Sequence, residues 1–192
     1  AASAMSSGGR ACGAVLGCLV GDAAGTPMHW VYDTARLAAH LKAARRGPAF
    51  CDPPGNGFYT TAPGAQSCYG DQTLALLESL VACGGRLDVE DYSSRLAKTF
   101  GKSSPYELDA VDPDSWPDLR ANPKDAEGKI IEEQRLWRMP LPGPWRHASI
   151  KGFLRNYVSN HKRFPECGSS DEQVDGCCKV APIVALYAGH SD

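Results

Sequence analysis

The chain has 192 residues, which is enough for one domain with a hydrophobic core. Its 20 basic and 22 acidic residues are interspersed and give a net charge of −2, so a broad basic surface for nucleic acid or an anionic membrane is not expected. No apolar run is expected to reach the length of a membrane span, and neither a nucleic acid nor a membrane is a predicted partner.

The cysteines and the chain ends bear on the cellular compartment. None of the eight cysteines belongs to a C-x-x-C pair or to a zinc-type cluster with histidine. Because the N-terminus lacks the apolar core of a secretory signal, we predict reduced, mostly buried thiols in a cytoplasmic protein. Residues 1–9 are small and polar and are expected to be disordered. The chain does not begin with Met and stops soon after a predicted helix end, so it is expected to be a truncated or processed piece.

The first third of the chain alternates between helices and turns. Hydrophobic periodicity predicts a helix over Arg10–Val20. Two glycines and a proline in Gly21–Pro27 predict a turn after it. A short helix capped by Asp33 or Thr34 comes next, and a loop rich in glycine and proline follows over Gly47–Gly64.

The central element is an amphipathic helix predicted within Gln66–Val81 and ended by the glycines at 84 and 85. Its expected apolar face consists of Leu74, Leu76, Leu77, Leu80 and Val81. Asp71 lies where an N-cap is expected, which is the ordinary role of an aspartate there. A helix start also collects free N–H groups and partial positive charge, so Asp71 and Thr73 are placed where a metal or phosphate could bind.

The remaining chain predicts further helices around a long loop. Asp88 is expected to cap a helix that Gly101 closes, and four prolines make residues 102–123 irregular. Three more helices are predicted over Lys124–Trp137, Ala148–Val158 and Val180–Tyr187. About six amphipathic helices without a convincing strand pattern predict an all-α domain.

Several common catalytic motifs are absent, among them G-x-S-x-G, H-E-x-x-H, the P-loop and G-x-G-x-x-G. The polar groups that remain lie at helix starts and glycine turns: Asp22, Asp71, Gln72, Thr73, Asp171, Glu172 and Asp175. Hard oxygen donors of this kind suit Mg²⁺ or Ca²⁺ better than zinc. The pair Glu132 and Glu133 is interpreted as the solvated face of a helix.

Two motifs stand out because glycine and aspartate recur in them at fixed spacing. Gly13–Pro27 (GAVLGCLVGDAAGTP) follows the pattern G-x-x-x-G-x-x-x-G-D-A-x-G-x-P, and Tyr69–Thr73 (YGDQT) is close to Y-T-D-D-T. In both motifs the chain resembles the ADP-ribosylglycohydrolase family, which has these two elements. The loop Gly64–Gln72 resembles the crystallin-like branch, which includes the J-type lens crystallins and selenoprotein J, and Lys179–Pro182 loosely matches a later element. The resemblance covers nearly the whole chain but only about the N-terminal half of a family domain, so residues 1–192 are expected to form one truncated domain.

The resemblance implies orthogonally packed helices and, in active members, hydrolysis of ADP-ribosyl glycosidic bonds with two Mg²⁺ ions. ADP-ribose or an ADP-ribosylated substrate is the implied partner. Asp71 and Thr73 match positions of metal ligands, and His29 is the candidate catalytic base at the position of an acidic ligand. The expected substrate contacts are Gly70, Gln72 and Asp22. The alternative role for Asp22 is to fix the glycine turn by accepting hydrogen bonds from nearby backbone N–H groups.

The chain departs from the family pattern at each metal-binding element. Gly70 replaces a threonine, Gln72 replaces an aspartate, and a distant D-x-D-T element is absent. A site with so few carboxylates is expected to bind Mg²⁺ weakly. Three hypotheses follow. The protein is a hydrolase of ribosyl or ADP-ribosyl bonds, a structural or binding protein that kept the fold and lost the chemistry, or a truncated product without a stable function.

Overall fold

The computed structural model describes residues 7–44, 47–107, 125–129 and 140–188. The helices of these ranges are α1 (Ser7–Gly25), α2 (Thr34–Ala43), α3 (Cys68–Ala82), α4 (Val89–Phe100), α5 (Ala148–Leu154) and α6 (Ala181–Tyr187). Short 3₁₀ turns cover Thr26–Met28 and Val174–Lys179, and a π-helical turn, Arg155–Ser159, continues α5. The strands β1 (Tyr59–Thr60) and β2 (Leu141–Pro142) form one short parallel pair, with Tyr59 opposite Leu141. The fold is therefore all-α, as predicted.

The α3 helix is central, because it packs against α1, α4 and α6. Its N-cap is Ser67, whose hydroxyl accepts from the Tyr69 N–H, so the predicted capping role of Asp71 is wrong. Asp71 lies within the first turn, since the residues that precede it are already helical. The expected apolar face is also wrong in part, because Val81 is 73% exposed. The buried residues of α3 are Cys68, Gly70, Gln72, Thr73, Ala75, Leu76, Ser79 and Leu80.

The first helix is longer than its sequence pattern predicts. The turn expected over Gly21–Pro27 is wrong for Gly21–Gly25, which belong to α1, and is confirmed at Thr26 and Pro27, which lie in the 3₁₀ turn Thr26–Met28. A glycine inside a helix costs only about 1 kcal/mol relative to alanine, and the packing of α1 against α3 and α6 outweighs that cost. Ser7–Gly9 are helical as well, so the disorder expected over 1–9 does not hold for them. Residues 1–6 lie outside the described ranges.

The apolar length of this helix corrects a second expectation. Gly8–Met28 is long and apolar enough to cross a membrane by length and composition. The expectation that no apolar run reaches this length is therefore wrong. A core helix that is mostly buried can have the same length and composition, whereas only 22% of this span is buried, although α1 packs against α3 and α6.

Two helices confirm their predicted caps. Asp33 Oδ1 accepts from the N–H groups of Ala35 and Arg36 at the start of α2. Asp88 Oδ1 accepts from the two corresponding N–H groups at the start of α4, 3.0 Å from each nitrogen. Both caps leave a carboxylate at the positive end of a helix, where it is electrostatically favoured.

The later helices confirm the sequence pattern only in part. Ala148–Val158 is helical as predicted, although its last residues form a π-helical turn. Residues 125–129 form a turn closed by the Asp125 carboxylate, so the helix predicted from Lys124 does not begin there. The rest of that predicted helix, including Glu132 and Glu133, lies outside the described residues.

The main core lies between α3, α4 and α5. Its buried members are Cys68, Ala75, Leu96, Phe100, Tyr106, Ile150, Phe153, Leu154 and Cys167. None of the eight cysteines, all of which lie in the described ranges, forms a disulfide, and the expectation that most are buried is wrong. Cys51, Cys68 and Cys167 are buried, whereas Cys12 and Cys177 are exposed.

Candidate functional site

Asp22 joins α1 to the start of α3. Its Oδ2 accepts from the Ser67 N–H at 2.7 Å, and its Oδ1 accepts from the Ser67 hydroxyl at 2.6 Å. The same hydroxyl caps α3, so Asp22 and Ser67 together fix where that helix begins. Both oxygens of Asp22 thus have structural hydrogen bonds. This geometry agrees with a positioning role more closely than with the predicted contact to a substrate.

Gly70 lies directly beneath these side chains. A Cβ atom at this position would collide with the carboxylate of Asp22 and the amide oxygen of Gln66. The glycine therefore allows a close approach that the family's threonine would not, unless both neighbours moved.

Asp71 is the predicted site residue whose side chain lines a large cavity. Its Oδ2 accepts from the Tyr106 hydroxyl at 2.6 Å. Burial raises the pKa of Asp71; the hydrogen bond from Tyr106 opposes this effect, and the negative charge of Asp22 adds to it. Asp71 and Tyr106 line a cavity of about 850 Å³, with Arg95 and Lys98 in its wall. The other predicted site residues, all within the described ranges, do not line it.

Gln72 and Thr73 are buried and occupied by internal hydrogen bonds. The Gln72 amide donates to the Cys68 carbonyl at 3.1 Å and accepts from the Lys179 ammonium at 2.9 Å. The Thr73 hydroxyl lies 3.0 Å from the Tyr69 carbonyl and 2.8 Å from the Cys178 carbonyl. These contacts tie α3 to the turn Val174–Lys179. Neither side chain lines the cavity that Asp71 faces.

His29 lies in an aromatic setting beside the start of α3. Its Nδ1 is 2.7 Å from the Tyr59 hydroxyl, and its ring centroid is 4.5 Å from that of Trp30 and 5.8 Å from that of Tyr69. Burial lowers the pKa of His29, the charge of Asp22 opposes this, and His147 adds to the lowering. The imidazole is consequently neutral near pH 7, which is the form that a general base requires. Its catalytic role stays a prediction.

Comparison with known proteins identifies the family. The model of the ADP-ribosylglycohydrolase family matches residues 4–192. The chain belongs to the ADP-ribosylglycohydrolase family. It is similar to crystallin J1A and crystallin J1B of Tripedalia cystophora, with 29% and 30% identity over 180 residues. Those residues are 94% of this chain and 47% of each relative, so the chain spans about half the length of the curated relatives it matches. No solved structure matches it.

These matches confirm the resemblance to the crystallin-like branch of the ADP-ribosylglycohydrolase family. They leave the assignment of the metal ligands and of any activity as predictions.

The residues present do not fit the two-magnesium site that the ADP-ribosylglycohydrolase family implies. Among the described residues, no three His, Cys, Asp or Glu side chains group closely enough to hold a metal. Asp22 uses both oxygens on Ser67, and the oxygen of Gln72 already accepts from an ammonium group. Asp71 is left as a single carboxylate. A divalent hard cation prefers several carboxylate and water oxygens, and this donor set is too neutral for two such ions.

Sequence reasoning missed several hydrogen-bond partners in this candidate site. Tyr106 lies in the proline-rich loop, where no periodicity marks it, and Ser67 was overlooked as the cap. Lys179 did carry a signal, because it belongs to the matched Lys179–Pro182 element. Asp171, one of the candidate oxygen donors for a metal, lies next to His147, with 3.8 Å between its Oδ2 and the His147 Nδ1. The side chain of Glu172 is exposed, and that of Asp175 lies outside the described atoms.

Proposed function

We propose that this protein is a structural member of the ADP-ribosylglycohydrolase family, of the crystallin type, that does not use two-magnesium hydrolysis. The hydrogen bond between the Lys179 ammonium and the Gln72 oxygen carries this proposal. An ammonium group stands beside the oxygen that would be a carboxylate ligand in an active relative. The similarity to two crystallins over 94% of the chain supports the same function.

Electrostatics explain why this contact disfavours a metal. Gln72 is neutral and cannot offset the charge of a divalent cation. A Mg²⁺ ion about 4 Å from the Lys179 ammonium would be repelled by roughly 8 kcal/mol at an effective dielectric constant of about 20. Gln72 is also fully buried, so water would screen this repulsion poorly.

The test measures metal binding and hydrolysis in the same protein. Isothermal titration with Mg²⁺ and with ADP-ribose is combined with an assay for ADP-ribose release from a mono-ADP-ribosylated protein. We expect no saturable Mg²⁺ binding and no release that depends on Mg²⁺. The proposal is overturned by Mg²⁺-dependent release that Asp71→Asn abolishes and that Glu172→Gln, a change of an exposed carboxylate, leaves intact.

The second candidate function is hydrolysis of a ribosyl or ADP-ribosyl bond, and one observation favours it. Asp71 has a raised pKa and lines a large cavity, as a general acid for glycosidic cleavage would. Under this function ADP-ribose or an ADP-ribosylated substrate is the partner. Release of ADP-ribose without added Mg²⁺, lost in Asp71→Asn, would support it over the structural function.

We also propose that the protein is cytoplasmic. The support is that its eight cysteines, all in the described ranges, form no disulfide, because cytoplasmic proteins keep their cysteines reduced. Fluorescence microscopy of the tagged protein tests this location.

A further inference from the structure

A buried arginine binds the backbone of Tyr106, the residue whose hydroxyl binds Asp71. Arg146 is 1% exposed, and its Nη2 donates to the Tyr106 carbonyl at 2.7 Å. Its Nε is buried and has no hydrogen-bond partner in the described part of the chain. A buried guanidinium N–H without an acceptor loses its hydration without compensation, so an acceptor is expected near it.

The cavity that Arg146 lines is strongly basic. It has a volume of about 460 Å³ and lies between the end of α4, the turn at Tyr106 and α5 with its π-helical extension. The basic residues in its wall are Lys98, Lys102, Arg146, Lys151 and Arg155. Glu107 is the one acidic side chain among the described residues that line it, and Glu107 accepts from the Ser103 N–H.

Two of these cations lie close together in a partly buried place. Burial, together with the positive charge of Arg146, lowers the pKa of Lys151 to about 8. The Lys151 ammonium also lies 5.5 Å from the centre of the Trp145 ring, which holds it at the cavity wall. Neighbouring cations that destabilise each other are stabilised together by an anion between them.

We propose that this cavity binds a phosphate group, either as inorganic phosphate or as a phosphate ester. A guanidinium presents several N–H donors in a fixed plane that matches phosphate oxygens, and the Arg146 Nε supplies one that is still free for such a bond. The lysines at 98, 102 and 151 add charge around it. The inference is independent of the proposed function, because the site holds whether or not the protein hydrolyses a glycosidic bond.

The test is isothermal titration of the whole 192-residue chain at constant ionic strength, with sodium phosphate in one arm and glycerol phosphate in the other. We expect saturable binding of at least one of them. Lys151→Met should weaken it about tenfold, which is the effect of losing one charged hydrogen bond. Lys42→Met, a change of an exposed lysine on α2 outside the cavity, is the matched control and should leave the affinity unchanged.

The two arms identify the source of the phosphate group. Binding of both ligands, or of the ester alone, shows that the cavity admits an ester, whereas binding of inorganic phosphate alone limits the site to the free ion. Absence of binding in both arms overturns the proposal. Equal weakening in Lys151→Met and Lys42→Met also overturns it, because the binding would then follow net charge and not this cavity. Near-ultraviolet circular dichroism confirms that each variant is folded, and Lys151 is chosen because Arg146 is buried in the core.

Discussion

Asp71 and Gln72 are consecutive residues of one motif, yet they lie in opposite environments. Asp71 faces a cavity of about 850 Å³ and shares a hydrogen bond with Tyr106. Gln72 is fully buried, and its amide oxygen accepts a hydrogen bond from the ammonium of Lys179, a residue of the turn Val174–Lys179. A rotation of about 100° along a helix separates neighbouring side chains, so one can stay accessible while the next becomes part of the core. The difference teaches that the Tyr69–Thr73 motif has an acid at Asp71 that lines a cavity, whereas the side chain of Gln72 has a structural role inside the protein.

The largest expected effect on stability comes from replacing Gly70, which precedes Asp71 and Gln72, by the threonine of the family motif. Gly70→Thr should destabilise the protein by roughly 3 kcal/mol, because the new side chain displaces Asp22 and Gln66 and thereby the Ser67 cap. Urea denaturation followed by circular dichroism measures the free energy of unfolding. Gly17→Ala is the control, since its Cβ meets nothing within 4 Å, and it should be neutral or stabilising. Equal stability of Gly70→Thr and wild type would show that Asp22 and Gln66 can move away from Gly70 without cost.

Removing the hydrogen bond to the buried Gln72 should lower the free energy of unfolding by a smaller amount. Lys179→Met should cost about 2 kcal/mol, because it leaves the Gln72 amide oxygen buried and without its donor. The same denaturation experiment measures it, with Lys129→Met as a control on an exposed lysine. The double variant Gln72→Met with Lys179→Met should be less destabilised than the two single losses added together. Additive losses would mean that the two side chains act independently.

Asp71, which lines the cavity, should make the stability of the protein depend on pH. Because the folded pKa of Asp71 is raised, its ionised form is disfavoured in the folded state at neutral pH, and this cost disappears as pH falls through that pKa. Wild type should therefore gain stability relative to Asp71→Asn as the pH is lowered from neutral. The control is Asp91→Asn on α4, where the hydrogen bond from Arg95 lowers the folded pKa. Relative to that variant, wild type should lose stability only at lower pH, as the pH falls below the ordinary aspartate value of 3.8 towards the lowered folded pKa of Asp91. A gain of wild type relative to Asp91→Asn that parallels its gain relative to Asp71→Asn would contradict the assignment.

The sequence predicts the parts of this fold whose signals are local. Asp33 and Asp88 stand directly before the helices that they cap, and their side chains reach N–H groups two and three residues ahead. At the start of α3 the sequence pattern predicts Asp71 as the cap, whereas the helix is capped by Ser67. Asp22 decides between them by binding Ser67 from 45 residues away.

The candidate site depends on such distant contacts even more. Tyr106 reaches Asp71 across 35 residues, and Lys179 reaches Gln72 across 107. Neither separation leaves a periodic pattern, so the motif predicts which residues belong to the site but not what they bind. The substitution of Gln72 is visible in the sequence, whereas the ammonium that accompanies it emerges only from the packing of Val174–Lys179 on α3.

The smallest effect concerns His29, which lies beside the same helix start. Since burial is the main cause of its lowered pKa, Tyr59→Phe should shift that pKa only slightly, although it removes the hydroxyl at Nδ1. Proton NMR titration of the ring resonances measures the value in both proteins, and it should lie below 6.5 in each. A pKa at or above that value in wild type would contradict the lowering of the His29 pKa by burial. A large shift in Tyr59→Phe would instead show that the hydrogen bond, and not burial, sets the protonation of His29.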